Sequence, residues 1–583
     1  MNNDTAPNLK STLTRNVLLF TAFVHTCIAL NGQTRFAELP DLKDITHSAG
    51  LSISHISTAD KKYMVESMSG GIGFIDCDND GKLDIIAVNG STVDRYKSGG
   101  DPMITLYHQE SGLKFRDITA QAGLTRKGWG MGVAVADFDN DGWEDLYATG
   151  FGGSVLYRNK GNCSFEDFTT QAGVGVDGFP TGAAWGDYDR DGLVDLFVPR
   201  YTHVDPRQLS GNPSSCTFLG LQVFCGPWGF PGETDFLFRN TTAGRFEEVS
   251  RKAGVSDEKT LFGMQGVWTD YDNDGWPDLY VANDRGPNYL YRNQHDGSFQ
   301  DVAEVLGAAL SANGQAQGSM GVDIGDLGHD GLFDIFVTNF QQEADTLYRH
   351  RGARGFDDAS ISSGIAQITF PYVGWGTSLV DLTNNGWDDI LIANGHIYPQ
   401  IDEAHAGFLY REPLLLFRNN RDGTFSDITP LTSLGKLPLQ SRRGLAYGDI
   451  NNDGKLDVVI LNVGERPTLL LNCTQNSNHA VLLKLIGTKS NRAAIGARAI
   501  VIAGKLTQMN EVRGGGSYLS QNDLRLHFGL GNHTHIDSIE IRWPSGDKQT
   551  LRDLATDSIY IVREGAGIQS AKRLATSVAC RNN

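Results

Sequence analysis

Apolar positions in this chain come in short runs separated by turns rich in glycine, asparagine and aspartate. Gly73-Phe74-Ile75 and Leu83-Asp84-Ile85-Ile86-Ala87-Val88 flank one such turn, and their length and spacing predict two strands of a hairpin rather than two helices. Similar turns begin at Asp76, Asp137, Asp187, Asp270, Asp326, Asp381 and Asp449, at steps of 50 to 83 residues. Each is preceded by a run of small residues, such as Met131-Gly132-Val133-Ala134-Val135-Ala136 or Thr181-Gly182-Ala183-Ala184-Trp185-Gly186. Small side chains are needed where strands from several units crowd one axis.

Two further phrases follow each turn. Leu156-Tyr157-Arg158-Asn159, Leu237-Phe238-Arg239-Asn240, Leu290-Tyr291-Arg292-Asn293, Leu347-Tyr348-Arg349-His350 and Leu416-Phe417-Arg418-Asn419 form the first set. Phe165-Glu166-Asp167-Phe168-Thr169 and its counterparts form the second. The repeat is thus a four-stranded unit, and its step suits a propeller blade better than a helical solenoid. The second kind of phrase also occurs ahead of the first turn, at Lys43-Asp44-Ile45-Thr46, and is missing after the last. An N-terminal strand that completes the last blade would hide the edges of an open repeat. The pattern predicts an all-β fold: a seven-bladed β-propeller over residues 36–475. Alternating apolar runs such as Val481-Leu482-Leu483-Lys484-Leu485 and Ile539-Glu540-Ile541-Arg542-Trp543 then predict a small β-sandwich-like domain over 476–565, with a disordered tail at 566–583.

The turns carry the chemistry. In Asp76-Cys77-Asp78-Asn79-Asp80-Gly81-Lys82-Leu83-Asp84, carboxylates stand at positions 1, 3, 5 and 9 and glycine at 6. Four clustered carboxylates repel unless something positive lies among them. Hard oxygen donors in a short loop suit Ca2+. The expected ligands are Asp76, Asp78, Asp80 and Asp84; Asp137, Asp139, Asp141 and Asp145; Asp187, Asp189, Asp191 and Asp195; Asp270, Asp272, Asp274 and Asp278; and Asp449, Asn451, Asp453 and Asp457. The loop at Asp326 has Gly328 at position 3, and the loop at Asp381 has Thr383 and Asn385, so both are expected to bind metal weakly or not at all.

Net charge is −19 at pH 7, which argues against nucleic acid and anionic membranes as partners. Lys10 and Arg15 ahead of the apolar stretch Val17–Leu30 read as a signal peptide over residues 1–31, so the mature chain is expected to be secreted, extracellular or periplasmic, with no membrane span. Removing Cys27 leaves six cysteines, an even number that suits an oxidising compartment. Cys216 and Cys225 are expected to pair within a Gly/Pro-rich insertion; pairings among Cys77, Cys163, Cys473 and Cys580 stay open.

The repeats resemble the FG-GAP/VCBS repeats of integrin-type propellers, and the insertion around Cys216–Cys225 is similar to one in the cartilage acidic protein family. Asn491-Arg492, Gly514-Gly515-Gly516-Ser517-Tyr518-Leu519-Ser520-Gln521, His527-Phe528-Gly529-Leu530-Gly531 and Trp543-Pro544-Ser545-Gly546 resemble the ASPIC/UnbV domain. The resemblance implies an extracellular calcium-binding propeller. Read alone, Gly514-Gly515-Gly516 is a flexible turn, with an anion cradle as the lesser alternative.

The sequence contains no His-Glu-x-x-His, Gly-x-Ser-x-Gly or phosphate-loop motif. Polar residues at blade ends, namely His55, Glu66, Arg200, Tyr201, His203, Asp284, Arg285, Asn394, His396 and Arg443, are candidates for an axial site, and Asn283-Asp284-Arg285 and Asn394-Gly395-His396 fall at equivalent points of two blades. Two functions fit: a binding or adhesion module for an extracellular protein or glycan, or a calcium-dependent, lyase-like enzyme on polysaccharide.

Overall fold

The computed structural model describes residues 39–576 and 580, apart from 53–54, 205–215, 228, 243 and 257–259. The expected signal peptide lies outside the described residues. Seven antiparallel sheets of at least four strands each follow one another along the chain, and the fold is all-β. The innermost strands, Ile72–Ile75, Lys127–Ala136, Ala184–Gly186, Gly263–Thr269, Val322–Gly325, Gly374–Val380 and Arg442–Gly448, touch one another in circular order, the last against the first. The sheets are therefore the blades of a closed propeller. Closure is made as the sequence predicts: Leu42–Asp44 pairs antiparallel with Thr468–Asn472, so the N-terminal strand finishes the last blade.

The C-terminal part forms two four-stranded sheets. One orders Leu526–Gly531, His479–Ile486, Ser558–Arg563 and Gly567–Arg573; the other orders Leu506–Glu511, Arg498–Ala503, His535–Arg542 and Lys548–Ala555. Val481, Leu483, Val501, Phe528 and Ile539 fill the space between them, and this core continues into Phe138, Tyr147 and Trp185 of the propeller. Residues 567–573 were expected to be disordered; they are an edge strand paired with Ser558–Arg563. That strand is exposed along nearly its whole length and so carries no apolar alternation to read. The open cysteine pairings are Cys77–Cys163 and Cys473–Cys580, and Cys216–Cys225 pairs as expected.

The segment Gly514–Gln521 corrects the sequence reading. It is neither a free turn nor an anion cradle but a plug on the propeller axis. Its backbone and side chains bond to six blades in turn. Ile72 N donates to Ser520 Oγ (3.3 Å), Val135 N to Gln521 Oε1 (3.1 Å) and Thr377 N to Ser517 Oγ (3.0 Å). Trp185 N donates to Gly514 O and Val322 N to Ser517 O, while Leu519 N donates to Gln265 Oε1 at 3.1 Å. The seventh blade packs on it at Gly444, where an added Cβ would lie 2.5 Å from Ser520 Oγ. The small residues of the inner strands are thus explained by what they surround. A Cβ on Gly71 would stand 2.1 Å from Leu519 O, backbone that has no room to move.

Candidate metal centre

The seven Asp loops follow the inner strands and form a ring on the face that carries the C-terminal domain. Position 1 builds each turn locally. Its carboxylate accepts the position-6 glycine amide, at 2.8 Å for Asp137 and Gly142 and at 2.7 Å for Asp449 and Gly454. The position-4 residue is left-handed in every loop, for example Asn140 at φ 59° and Asn452 at φ 57°, a conformation that asparagine tolerates well.

Two sets of asparagine amides bind the blades together. From position 4, Asn79, Asn140, Asn273, Asn384 and Asn452 donate to the carbonyls of Gly142, Gly192, Gly331, Gly454 and Gly81, each in the next loop round the ring. From the Leu-Tyr-Arg-Asn phrase, Asn159, Asn240, Asn293, Asn419 and Asn472 donate backwards, to Cys77 O, Phe138 O, Tyr188 O, Leu327 O and Leu382 O. In the first blade Gln109 takes this place and reaches Ile450 O at 2.9 Å, closing the ring. The position-9 carboxylate orients these residues by accepting their backbone amides, as Asp145 does from Asn159 and Asp195 from Asn240.

Carboxylate oxygens gather within 4.8 Å of one another in four loops: Asp76, Asp78 and Asp80; Asp137, Asp139 and Asp145; Asp187, Asp189 and Asp195; Asp270, Asp272 and Asp278. These are the loops with aspartate at all four positions. In the last three the position-5 residue, Asp141, Asp191 or Asp274, is exposed at the rim, and its Oδ1 accepts the position-7 amide. In the first loop Asp84 is the one set apart, accepting from Gln109 N and lying 2.9 Å from His108 Nδ1. The Asp449 loop has Asn451 in place of a third neighbouring carboxylate.

The donor set fits a hard divalent cation. Asp187 Oδ1 and Asp189 Oδ1 are buried and accept no hydrogen bond, a costly state for an anionic oxygen that a metal would relieve. Burial raises Asp137, Asp187 and Asp449 to about 7 each and Asp270 to about 6, with neighbouring carboxylates adding to the effect. Part of the charge is already balanced. The arginine of the Leu-Tyr-Arg-Asn phrase pairs with position 3, Arg158 with Asp139 at 2.6 Å and Arg292 with Asp272 at 2.9 Å. Only one oxygen of each carboxylate is used in this way.

The two irregular loops differ from these in their surroundings. At Asp326, Gly328 offers no ligand, and Arg349 is paired at 2.6 Å with the position-9 residue Asp334. At Asp381 the C-terminal domain lies directly on the turn: a Cβ on Gly529 would stand 2.0 Å from Asp381 Oδ2.

Sequence reasoning missed the cations that the C-terminal domain brings to this face. Lys484 Nζ is 3.4 Å from Asp76 Oδ2 and Arg492 Nε 3.7 Å from Asp137 Oδ2. Arg498 donates to Asp270 O at 2.7 Å and to Glu511 at 2.7 Å, and Arg525 donates to Asp449 O at 2.8 Å. Crevices of about 310 and 460 Å³ remain between ring and domain, lined by Asp187 and Asp270 in one and by Asp76 and Asp137 in the other.

The candidates at blade ends separate into groups. His396 spends both ring nitrogens on the protein, Nδ1 accepting from Tyr398 N and Nε2 lying 2.7 Å from Gln341 Oε1; burial lowers its pKa to about 3. Glu66 accepts the amides of Lys62 and Tyr63 and so holds a local turn. His55 is buried and accepts from Gly464 N. Arg200 and His203 both meet Glu233. Arg443 is buried 3.9 Å above the Trp375 ring. Asn283 and Asn394, whose equivalence suggested a shared site, each tie a loop by donating to Pro287 O and Pro413 O. Tyr201, Asp284 and Arg285 do come together, at the other end of the axis.

Two family models match this chain. Residues 76–148, 137–198, 270–337 and 406–460 match the FG-GAP-like repeat, and residues 487–569 match the family described as ASPIC and UnbV. Cartilage acidic protein 1 of Homo sapiens is 26% identical over 294 residues, 49% of this chain and 41% of that protein. The Xenopus tropicalis protein of the same name is 26% identical over 305 residues, 50% of this chain and 43% of that one. The match thus spans about two fifths of these relatives' length. Among solved structures, an Agrocybe aegerita lectin that recognises non-reducing terminal N-acetylglucosamine aligns at TM-score 0.36 and 15% identity, covering 62% of this chain and 79% of that one. The V. cholerae biofilm matrix protein Bap1 aligns at TM-score 0.26 and 11% identity, covering 92% and 64%.

Proposed function

From FG-GAP-like repeats joined to an ASPIC and UnbV domain, we propose that this chain is an exported binding protein whose propeller is stiffened by Ca2+. The observation that carries this reading is the gathering of three carboxylates in each of four loops, with buried oxygens left unbonded in the third. Asp76, Asp137, Asp187, Asp270 and their loop partners hold the ion, and the Asp449 loop is a fifth site through Asp449, Asn451, Asp453 and Asp457. The ion's contribution is structural: it relieves repulsion inside the turns whose asparagines bind blade to blade. Export is supported by three disulfides and by the leader-like N-terminus, and among the described residues no helix is long and apolar enough to cross a membrane. With the loop face covered by the C-terminal domain and the axis plugged, the opposite face is left for an extracellular protein or glycan partner. Calorimetric titration of the chelated full chain with CaCl2 tests the metal claim. About five sites per chain are expected, and Asp187→Asn with Asp189→Asn should remove one of them. Binding of fewer than four would overturn the assignment.

A further inference from the structure

A cavity of about 260 Å³ lies at the end of the axis opposite the Asp loops. Its lining residues Met68, Met264, Met320 and Trp375 precede or open inner strands, whereas the loops follow those strands. The Cys216–Cys225 hairpin forms one wall through Phe218 and Phe224. Trp375, braced by Tyr518 of the plug at 4.7 Å between ring centroids, lies at the base. Four of the chain's eight methionines, including Met64, line this one space. Thioethers are polarisable and adapt to varied shapes.

Within this apolar, aromatic setting stands one carboxylate whose ion pair is long and shared. Asp284 accepts a hydrogen bond from the Tyr201 hydroxyl. Arg285 Nε lies 4.0 Å from it, but the Arg285 guanidinium is committed to Glu343 at 2.8 Å and to the Phe340 ring at 5.2 Å. The backbone is shaped to produce this. Strand pairing shifts register between Asp284 and Gly286, and Arg285 takes a left-handed φ of 61°. A bulge of this kind re-aims side chains, and non-glycine residues at positive φ recur at binding sites. A buried carboxylate among aromatic rings, held only by a long contact to an arginine shared with Glu343, costs folding energy that a further cation would offset. In keeping with this, burial raises the Asp284 carboxyl to about 6.

We propose that this cavity binds a small organic ammonium group, primary or methylated, on a short apolar stem, with Asp284 as counter-ion, Tyr201 and Tyr398 as its aromatic faces, and Phe340 and Trp375, each already faced by an arginine, as apolar walls. Aromatic faces attract such cations by about 0.5–2 kcal/mol each when desolvated. The volume is below the range of about 300–1,000 Å³ typical of drug-sized ligands, so the cavity suits a head group and stem rather than a chain of sugars. The group's source is either a free amine or a lysine side chain of a partner. The inference rests on the binding-protein reading only in treating this face as the partner's side, and it does not depend on calcium.

The test is calorimetric binding to the full calcium-loaded chain of choline, of n-butylammonium and of the neutral tert-butyl isostere of choline. At least one ammonium probe should bind roughly tenfold or more tighter than the neutral isostere, about 1.4 kcal/mol. Asp284→Asn should abolish that preference, while Tyr201→Phe, which keeps the charge, should retain it. A lysine-containing peptide set against its acetylated form separates a protein partner from a free amine. If neither ammonium probe binds the folded chain more tightly than the neutral isostere does, the proposal is overturned. The calcium reading fails separately, if chelation leaves melting unmoved while the ammonium probes still bind.

Discussion

Asn472 donates its side-chain amide to Leu382 O at 2.8 Å, so the last strand of the propeller is tied to the Asp381 turn of the neighbouring blade. The same amide also reaches Leu456 O at 3.1 Å, and the residue is fully buried. Asn472→Ala would leave both carbonyls without this donor, at about 1–3 kcal/mol for each buried group left unsatisfied. Urea denaturation of the variant should show a total loss of about 2–5 kcal/mol. A change no larger than that of an exposed substitution would show that the amide ties are incidental.

The plug makes a second prediction. Tyr518 is fully buried, and its hydroxyl donates to Met68 O at 2.6 Å. Tyr518→Phe should cost about 1–2 kcal/mol through the orphaned carbonyl, and Tyr518→Ala about 3–5 kcal/mol through the cavity left behind. Thermal scans should also show the propeller and C-terminal domain melting together in the parent. Two separated transitions in the parent would contradict a shared core.

Much of this was legible in the sequence because it is local. The nine-residue turn, the strands on either side and the phrase ending at Asn159 lie within one blade, so spacing alone revealed them. Closure by Leu42–Asp44 was legible because one repeat phrase was out of place. The plug was not, since Ser520 meets Ile72 across 448 residues of sequence. A signal was present even so: Tyr518 and Leu519, one residue beyond three glycines, are large side chains that a solvent turn has no use for. The Cys77–Cys163 and Cys473–Cys580 pairs, 86 and 107 residues apart, are decided by blade packing that spacing does not encode. The Asp284 cavity depends on a bulge, which no pattern of apolar positions announces.

Acidity should act in opposite senses on the metal-free and calcium-loaded protein. Burial raises Asp137, Asp187 and Asp449 to about 7, against about 3.9 for a free aspartate. The folded metal-free chain therefore keeps protons that the unfolded chain has released. That contribution to stability is full below about pH 4 and is lost as pH rises through about 7. Calcium needs the deprotonated ligands, so its stabilisation grows across the same window. Melting midpoints with calcium and with chelator should converge toward about pH 5 and separate toward about pH 8. Parallel profiles would contradict the buried-cluster account.

The most direct test of a calcium-stiffened propeller is the thermal midpoint of the full chain at pH 7.5 as free calcium is raised from a chelated start. A ligand at a hundred times its dissociation constant stabilises by about 2.7 kcal/mol per site. The midpoint should climb by several degrees and level off, and it should climb less when Asp187 and Asp189 are both replaced by asparagine. A midpoint that stays where chelation left it, in parent and variant alike, would contradict the account.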